Sequence, residues 1–248
     1  MAKVKGMFFT LGLTLLATVL FSLAILIVNN AEVSKEATTS FVIADRLYEL
    51  DSSIQNNFAE ILKDKAGISI TGTTFQESLP NPNYLIFNDS MYDYKSYIET
   101  NYDNIALNIS RITDEIPINV PRYGITYYHD FNQNKIKVNH TGSTIQGYRI
   151  EVVGATSCTV DDYTLGSMTL NIPSCFNNQV NTAQITIGSV SISLTSNELQ
   201  ITNNGAASLI ETELLVPDNQ VAMYFPGNVI NIDFLEFGIQ KRGLARIM

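Results

Sequence analysis

The sequence predicts an α+β fold in which a long N-terminal helix, first transmembrane and then amphipathic, packs on a mostly antiparallel, sandwich-like β domain with one additional helix. Three observations predict this fold. Residues 7–28 form an apolar run without charge or proline, and apolar residues then recur at helical spacing as far as residue 66. From residue 116 onward, short runs rich in β-branched and aromatic residues alternate with Asn, Gly, Ser and Asp.

The apolar run 7–28 is long enough to cross a membrane as a helix, because at about 1.5 Å per residue it spans roughly 33 Å. The leader before it, residues 1–6, carries Lys3 and Lys5, whereas the rest of the chain is acidic. Because basic flanks stay in the cytoplasm, we predict a single-pass protein with a cytoplasmic N-terminus and an extracytoplasmic C-terminal domain at the cell surface. The lipid bilayer is thus a predicted partner, and a cleaved secretory signal is the alternative.

Residues 29–66 are predicted to continue the anchor as an amphipathic helix. Apolar residues recur there in steps of three, four and seven, and no proline interrupts them. Gly67 stands where a C-terminal cap belongs. The main alternative is a break at Asn29-Asn30, where the chain would leave the membrane.

Residues 67–248 are predicted to form the extracytoplasmic β-rich domain. A second helix is expected from Ser90 to about Thr113, because tyrosine and isoleucine recur there at spacings of four, seven, four and three. Asn132–Asn134 and Asn203–Gly205 are predicted to be hairpin turns. The expected strands are Gly124–Phe131, Lys135–Asn139, Tyr148–Gly154, Thr164–Ile172, Ala183–Ile187, Ser189–Leu194, Leu199–Thr202, Ser208–Val216 and Val229–Leu235.

Cys158 and Cys175, the two cysteines of the chain, lie close together in a polar segment. In an oxidising compartment we expect them to form a disulfide that closes a short loop, which stabilises the fold by on the order of 3 kcal/mol. Two buried free thiols are the alternative. Three N-x-S/T sequons, which begin at Asn88, Asn108 and Asn139, permit glycosylation of an external surface.

The sequence lacks the motifs that carry catalysis, such as G-x-S-x-G, H-E-x-x-H or a phosphate-binding loop, so we predict neither an enzyme nor a cofactor. His129 and His140 could hold a metal together with Asp130 across a hairpin. We favour the interpretation that both are surface or rim histidines, with Asp130 on the opposite face from His129. With 24 acidic and 15 basic residues, the chain is also expected to repel nucleic acid.

Small hydroxyl residues recur every four positions in the apolar run, at Thr10, Thr14, Thr18 and Ser22. Such residues let helices approach closely and hydrogen-bond to each other, so they are candidate helix-packing positions. The alternative is that each hydroxyl bonds back to the backbone of its own helix.

Together, residues 1–66 resemble type IV pilins and the related archaeal surface proteins with class III signal peptides. Lys5-Gly6-Met7-Phe8 is similar to their prepilin-peptidase site, in which a short basic leader ends in glycine before the apolar helix. The resemblance implies cleavage between Gly6 and Met7 by a prepilin peptidase. It also implies a helix that anchors the subunit before assembly and forms the filament core afterwards. Leu11 stands where bacterial pilins usually carry glutamate, so an archaeal relative fits better.

The leading hypothesis is therefore a membrane-anchored, extracytoplasmic structural protein. It would be a pilin-like filament subunit or minor pilin that assembles, with itself or with other pilin-like subunits, through its N-terminal helix. The alternative is an uncleaved single-pass surface protein whose β-sandwich domain binds a ligand, a glycan or a partner protein.

Overall fold

The computed structural model describes residues 2–81, 84–141, 145–218, 222–226, 229–235, 239–242 and 244–245. Of these, residues 2–17, 32–41, 84, 239–242 and 244–245 are described by their backbone alone. The chain divides into two compact units, Met1–Ser53 and Ile54–Met248.

The first helix, α1, runs from Ala2 to Ile61 and is followed by a π-helical turn, Leu62–Ala66. Gly67 ends this turn in the left-handed conformation, with φ of 65°, and its N–H bonds the carbonyl of Leu62. The prediction of a helix cap at Gly67 is confirmed, because glycine adopts this conformation without the steric cost of a Cβ atom.

The predicted membrane topology is corrected by the structure. Among the residues that the structure describes, no helix is both long enough and apolar enough to span a bilayer. The single-pass arrangement, with a span at 7–28 and a domain at the cell surface, is therefore not supported.

The end of the N-terminal helical region lies in the core of the second unit. Ile54, Phe58, Leu62 and Ala66 recur every four residues, and all four are buried. Spacing of four places them on one face of the helix. The ring of Phe58 meets Tyr94 of the second helix edge to face, with 5.2 Å between the ring centroids.

The second helix, α2, spans Tyr84–Asn101, not the predicted range Ser90–Thr113. Ile105 and Ile109 of the predicted range belong instead to the strand Ile105–Ile109, and Ile112 lies beyond its end. In that strand Ile105 and Leu107 are buried, whereas Ala106 is half-buried and Asn108 is exposed. Alternation of buried and more exposed side chains with a period of two is the pattern of a strand. In this segment it prevails over the helical spacing of the isoleucines.

Sixteen strands are described, in two sheets. They are β1 Ser69–Thr71, β2 Thr74–Leu79, β3 Ile105–Ile109, β4 Glu115–Val120, β5 Ile125–Asp130, β6 Lys135–Asn139, β7 Gly147–Val152, β8 Thr159–Ile172, β9 Phe176–Ile187, β10 Val190–Leu194, β11 Glu198–Asn203, β12 Ser208–Leu215, β13 Tyr224–Phe225, β14 Ile230–Phe234, β15 Ile239–Arg242 and β16 Leu244–Ala245. The larger sheet has the order β1-β2-β12-β7-β8-β9-β10-β11-β6-β5-β4-β13-β16, and the smaller has the order β15-β14-β3.

The larger sheet curls so that its two halves face each other. Strand β2 is second in the strand order and β5 is tenth, yet Phe75 of β2 stacks on Tyr127 of β5 with 4.0 Å between the ring centroids. At the ends of β11 and β2, which are eighth and second in the strand order, the Asn203 amide donates a hydrogen bond of 2.6 Å to the carbonyl of Leu79. The core lies inside this curl.

The predicted fold class is therefore wrong. The structure is mostly β, with 45% strand, and one continuous hydrogen-bonded sheet takes the place of the expected sandwich. Asn203–Gly205 also does not form a hairpin, because β11 pairs with β10 and β6 whereas β12 pairs with β2 and β7. The other predicted turn, Asn132–Asn134, does join two paired strands, β5 and β6.

Candidate functional site

The most distinctive surface in the first unit is a stretch of exposed aliphatic and aromatic side chains on α1. We call residues 19–28 the apolar segment. Its large apolar side chains are between 47% and 69% exposed. They are Val19, Leu20, Phe21, Leu23, Ile25, Leu26, Ile27 and Val28. Since successive helical residues are rotated by about 100°, these side chains cover every side of the helix.

The predicted helix-packing residues are only partly described. Thr18 and Ser22 lie on the exposed surface of α1. Together with Val19, Leu23 and Leu26 they line a shallow groove of about 320 Å³ along the helix. Thr10, Thr14 and the processing residues Gly6 and Met7 lie outside the residues whose side chains are described, so these predictions stay predictions.

Inside the curl of the second unit, a carboxyl group meets an imidazole. Glu77 of β2 hydrogen-bonds Nδ1 of His129 on β5, and both side chains are fully buried. The Phe75–Tyr127 stack lies two residues earlier on the same two strands. Three oxygens of this interior, Glu77 Oε1, Tyr127 OH and Thr212 Oγ1, have no hydrogen-bond partner among the described residues.

Burial keeps both members of the pair neutral. Loss of hydration raises the pKa of the Glu77 carboxyl well above its usual value. The same loss lowers the pKa of the His129 imidazole to about 4, against a small opposite effect of the Asn81 main chain. The hydrogen bond between Glu77 Oε2 and His129 Nδ1 then joins two neutral groups, and the tautomer of the ring determines which of them donates.

The Glu77–His129 pair has the chemistry of an acid–base couple but no route for a substrate. Both side chains have zero exposure, and a catalytic base has to reach the proton that it removes. We therefore assign the pair a structural role, the closure of the curl between β2 and β5. Sequence reasoning missed Glu77, although its alternation with Phe75 and Leu79 already places it on the inward face of β2.

The prediction that both histidines are surface or rim residues is wrong. His129 and His140 are buried, not at the surface or rim of the hairpin. Asp130 does point to the other face of β5, as predicted. His140 accepts or donates a 2.6 Å hydrogen bond at Nδ1 with the Tyr148 hydroxyl, and burial lowers the pKa of its ring. No group of three metal-ligating side chains occurs in the described part of the chain.

The predicted disulfide between Cys158 and Cys175 is confirmed. Cys158 lies directly before β8, and Cys175 lies directly before β9. Both cysteines are half-buried, so the sulfur atoms lie near the surface of the second unit.

The three sequons lie in different environments. Asn88 is buried in α2, and its side-chain amide bonds the main chain of Ile112 in both directions, at 2.5 Å and 3.1 Å. A glycan could not be attached there without breaking these bonds. Asn108 is exposed on β3 and donates a hydrogen bond of 2.9 Å to Asp233, and Asn139 is half-buried at the end of β6.

A small groove in the second unit is lined by the end of α1 and by β1, and includes Glu60, Lys63 and Ser69. Its volume of about 110 Å³ is well below the roughly 300–1,000 Å³ of typical ligand pockets. It gives no support to small-molecule binding.

Comparison with protein-family models, with curated proteins and with solved structures finds no match for this chain.

Proposed function

We propose that this protein is a structural subunit that assembles with other copies of itself through the apolar segment of α1, as a pilin-like filament subunit does. The observation that supports this proposal is the exposure of that segment. Eight large apolar side chains within ten residues are each about half exposed or more. A helix that is apolar on all sides is normally buried by other elements.

A second copy of the chain is the partner that best fits the segment. Its side chains are aliphatic or aromatic and carry no charge between residues 18 and 28, so an apolar surface of the same kind is complementary to them. The groove at Thr18 and Ser22 adds small hydroxyl side chains beside the larger ones, which allows a neighbouring helix to approach closely.

The charge of the chain favours an arrangement with helices inside and β units outside. The net charge is −9, and no charged residue lies within the apolar segment. Repulsion between like charges keeps the acidic units apart and in contact with water, whereas the uncharged helices gain by burial.

The test is to place a charge in the segment. Leu26 and Leu235 are each 60% exposed, but Leu235 lies in the second unit, far along the chain from α1. We expect Leu26→Asp to weaken self-association by about tenfold or more, because a leucine that is buried on assembly contributes roughly 1.5–3 kcal/mol. Sedimentation velocity of the full chain over a concentration series measures this, with electron microscopy of the assembled material.

Leu235→Asp is the matched control and is expected to assemble like the unmodified chain. The proposal is refuted if the unmodified chain remains monomeric at every concentration. Equal weakening by the two substitutions would refute it too, since the apolar segment would then have no special part in assembly.

A further inference from the structure

Cys158 and Cys175 lie at opposite ends of one β hairpin. Strands β8 and β9 pair from Thr159↔Thr186 at the base to Ile172↔Phe176 at the tip. In a straight hairpin at about 3.3 Å per residue, the two ends would be roughly 35 Å apart. The Cα atoms of the cysteines are only 5.4 Å apart. The hairpin is therefore doubled over, and the disulfide joins its tip to its base.

The bend lies where the ladder between β8 and β9 is irregular. Three residues of β8, 165–167, face the single residue Asn181 of β9. Gly166 lies so close to Asn181 that an added Cβ atom would be 2.6 Å from its side chain. Beyond the bend the halves touch, since the ring centroids of Tyr163 in the base half and Phe176 at the tip are 6.2 Å apart.

The two halves of β8 are held very differently. The tip half pairs with β7 as well as β9 and buries Met168, Leu170 and Ile172 in the core. The side chains of the base half and the bend, from Thr159 to Leu165, are all exposed, with Leu165 at 67%. Among the described residues, the base half pairs with β9 alone. Apart from that ladder, the disulfide beside Thr159 is its firmest attachment.

We propose that the Cys158–Cys175 disulfide is a redox-sensitive clamp, whose reduction releases the strand Thr159–Thr164 from β9 while the rest of the sheet stays folded. The second edge of β9 would remain paired with β10 through residues 183–187. This device concerns the second unit and does not depend on assembly through α1.

The chemistry of release is thiol–disulfide exchange with a dithiol. One thiolate of the reductant attacks a cysteine sulfur, the S–S bond breaks, and a mixed disulfide forms. The second thiolate of the reductant then displaces the remaining protein thiolate. The protein gains two electrons and two protons as its cysteines become thiols, and the reductant loses them as it closes into a cyclic disulfide.

Amide hydrogen exchange of the folded full chain, with and without dithiothreitol, tests the clamp. We expect amides of residues 159–164 to exchange about 100-fold faster after reduction, because closure of the loop no longer holds the strand in place. Amides of β10 and β11 are expected to keep their protection. Alkylation of the released thiols, followed by mass measurement, establishes the extent of reduction in each sample.

The variant Cys158→Ser/Cys175→Ser is the matched control. It should exchange like the reduced protein and should not respond to dithiothreitol. Unchanged protection of residues 159–164 in the fully reduced chain would overturn the proposal. Loss of protection in β10 and β11 as well would also overturn it, because the disulfide would then brace the whole sheet and not one strand.

Discussion

At the scale of single residues, the Glu77–His129 contact shows how a polar pair is accommodated inside an apolar interior. Each partner supplies one of the hydrogen bonds that the other loses on leaving water. Neutrality of both groups avoids the much larger cost of burying a charge. The contribution of either residue therefore depends on the presence of the other.

Removal of one partner is expected to cost more stability than removal of both. His129→Phe leaves the Glu77 carboxyl buried without its partner, which should lower the free energy of unfolding by about 1–3 kcal/mol. Adding Glu77→Met to that variant removes the stranded group and should restore most of the loss. Urea denaturation of the unmodified chain, of each single variant and of the double variant measures the difference. A double variant that is as unstable as the sum of both single variants would contradict the coupling.

The same pair should shape the dependence of stability on pH. Between the usual pKa values of 4.5 and 6.5, the unfolded chain has a charged His129 and an ionised Glu77, whereas the folded chain has both groups neutral. The folded and unfolded states then bind equal numbers of protons through this pair, so its contribution to stability does not change with pH in this range.

Outside this window the contribution should fall on both sides. Above pH 6.5, and up to the raised pKa of Glu77, the folded state holds one proton more on Glu77, so stability decreases as pH rises, by about 1.4 kcal/mol per pH unit. Below pH 4.5 the unfolded state holds one proton more on His129, so stability decreases as pH falls, until the folded pKa of about 4 is reached. Comparison with the Glu77→Met/His129→Phe variant by denaturation at several pH values isolates this profile from that of His140. A monotonic difference curve would contradict it.

At the scale of elements, the parallel ladder between β7 and β8 depends on one glycine. Gly147 pairs with Thr169, and its φ of 151° is unfavourable for residues with a Cβ atom. An added Cβ atom at Gly147 would lie 1.8 Å from the carbonyl oxygen of Thr169. The backbones can approach this closely only because that side chain is missing.

Gly147→Ala is therefore expected to be more harmful than an alanine at another glycine with positive φ. Gly154 has φ of 84° but no atom within 4 Å of an added Cβ, so Gly154→Ala measures backbone strain alone. We expect Gly147→Ala to reduce the free energy of unfolding by about 2 kcal/mol more than the control, because strands β7 and β8 must move apart. Thermal and urea unfolding provide the comparison. Equal losses would show that contact with Thr169 is unimportant.

Individual elements were predictable where the pattern was local. The strands β5, β6, β10 and β12 follow the alternation of apolar and polar residues closely, and the cysteine pairing followed from their proximity in sequence. The prediction of a helix at residues 105–109 was wrong, because isoleucines four residues apart fit the period of a strand as well as that of a helix. The inward position of Glu77 and His129 was readable from the same alternation, but their contact joins strands more than fifty residues apart.

At the scale of the whole molecule, the strand order was beyond the reach of the sequence. Patterning identifies which residues face inward but not which strand is the neighbour of which, since any strand of matching length and period fits. The curl of the sheet brings β2 against β5, although eight positions separate them in the strand order. Similarly, the apolar run of the sequence was compatible both with lipid and with other helices, and the prediction of a membrane span did not stand.

The pairing of β2 with β12 also sets the order of events during synthesis on the ribosome. Leu79 lies opposite Ser208, so the first long strand of the sheet is made well over a hundred residues before its partner. During that interval its edge is bare and the curl cannot close. Contacts between such distant segments make folding slow, and nascent intermediates with open strand edges are prone to aggregate. A molecular chaperone that shields β2 until β12 has emerged would therefore increase the yield of the folded chain more than one that acts after release.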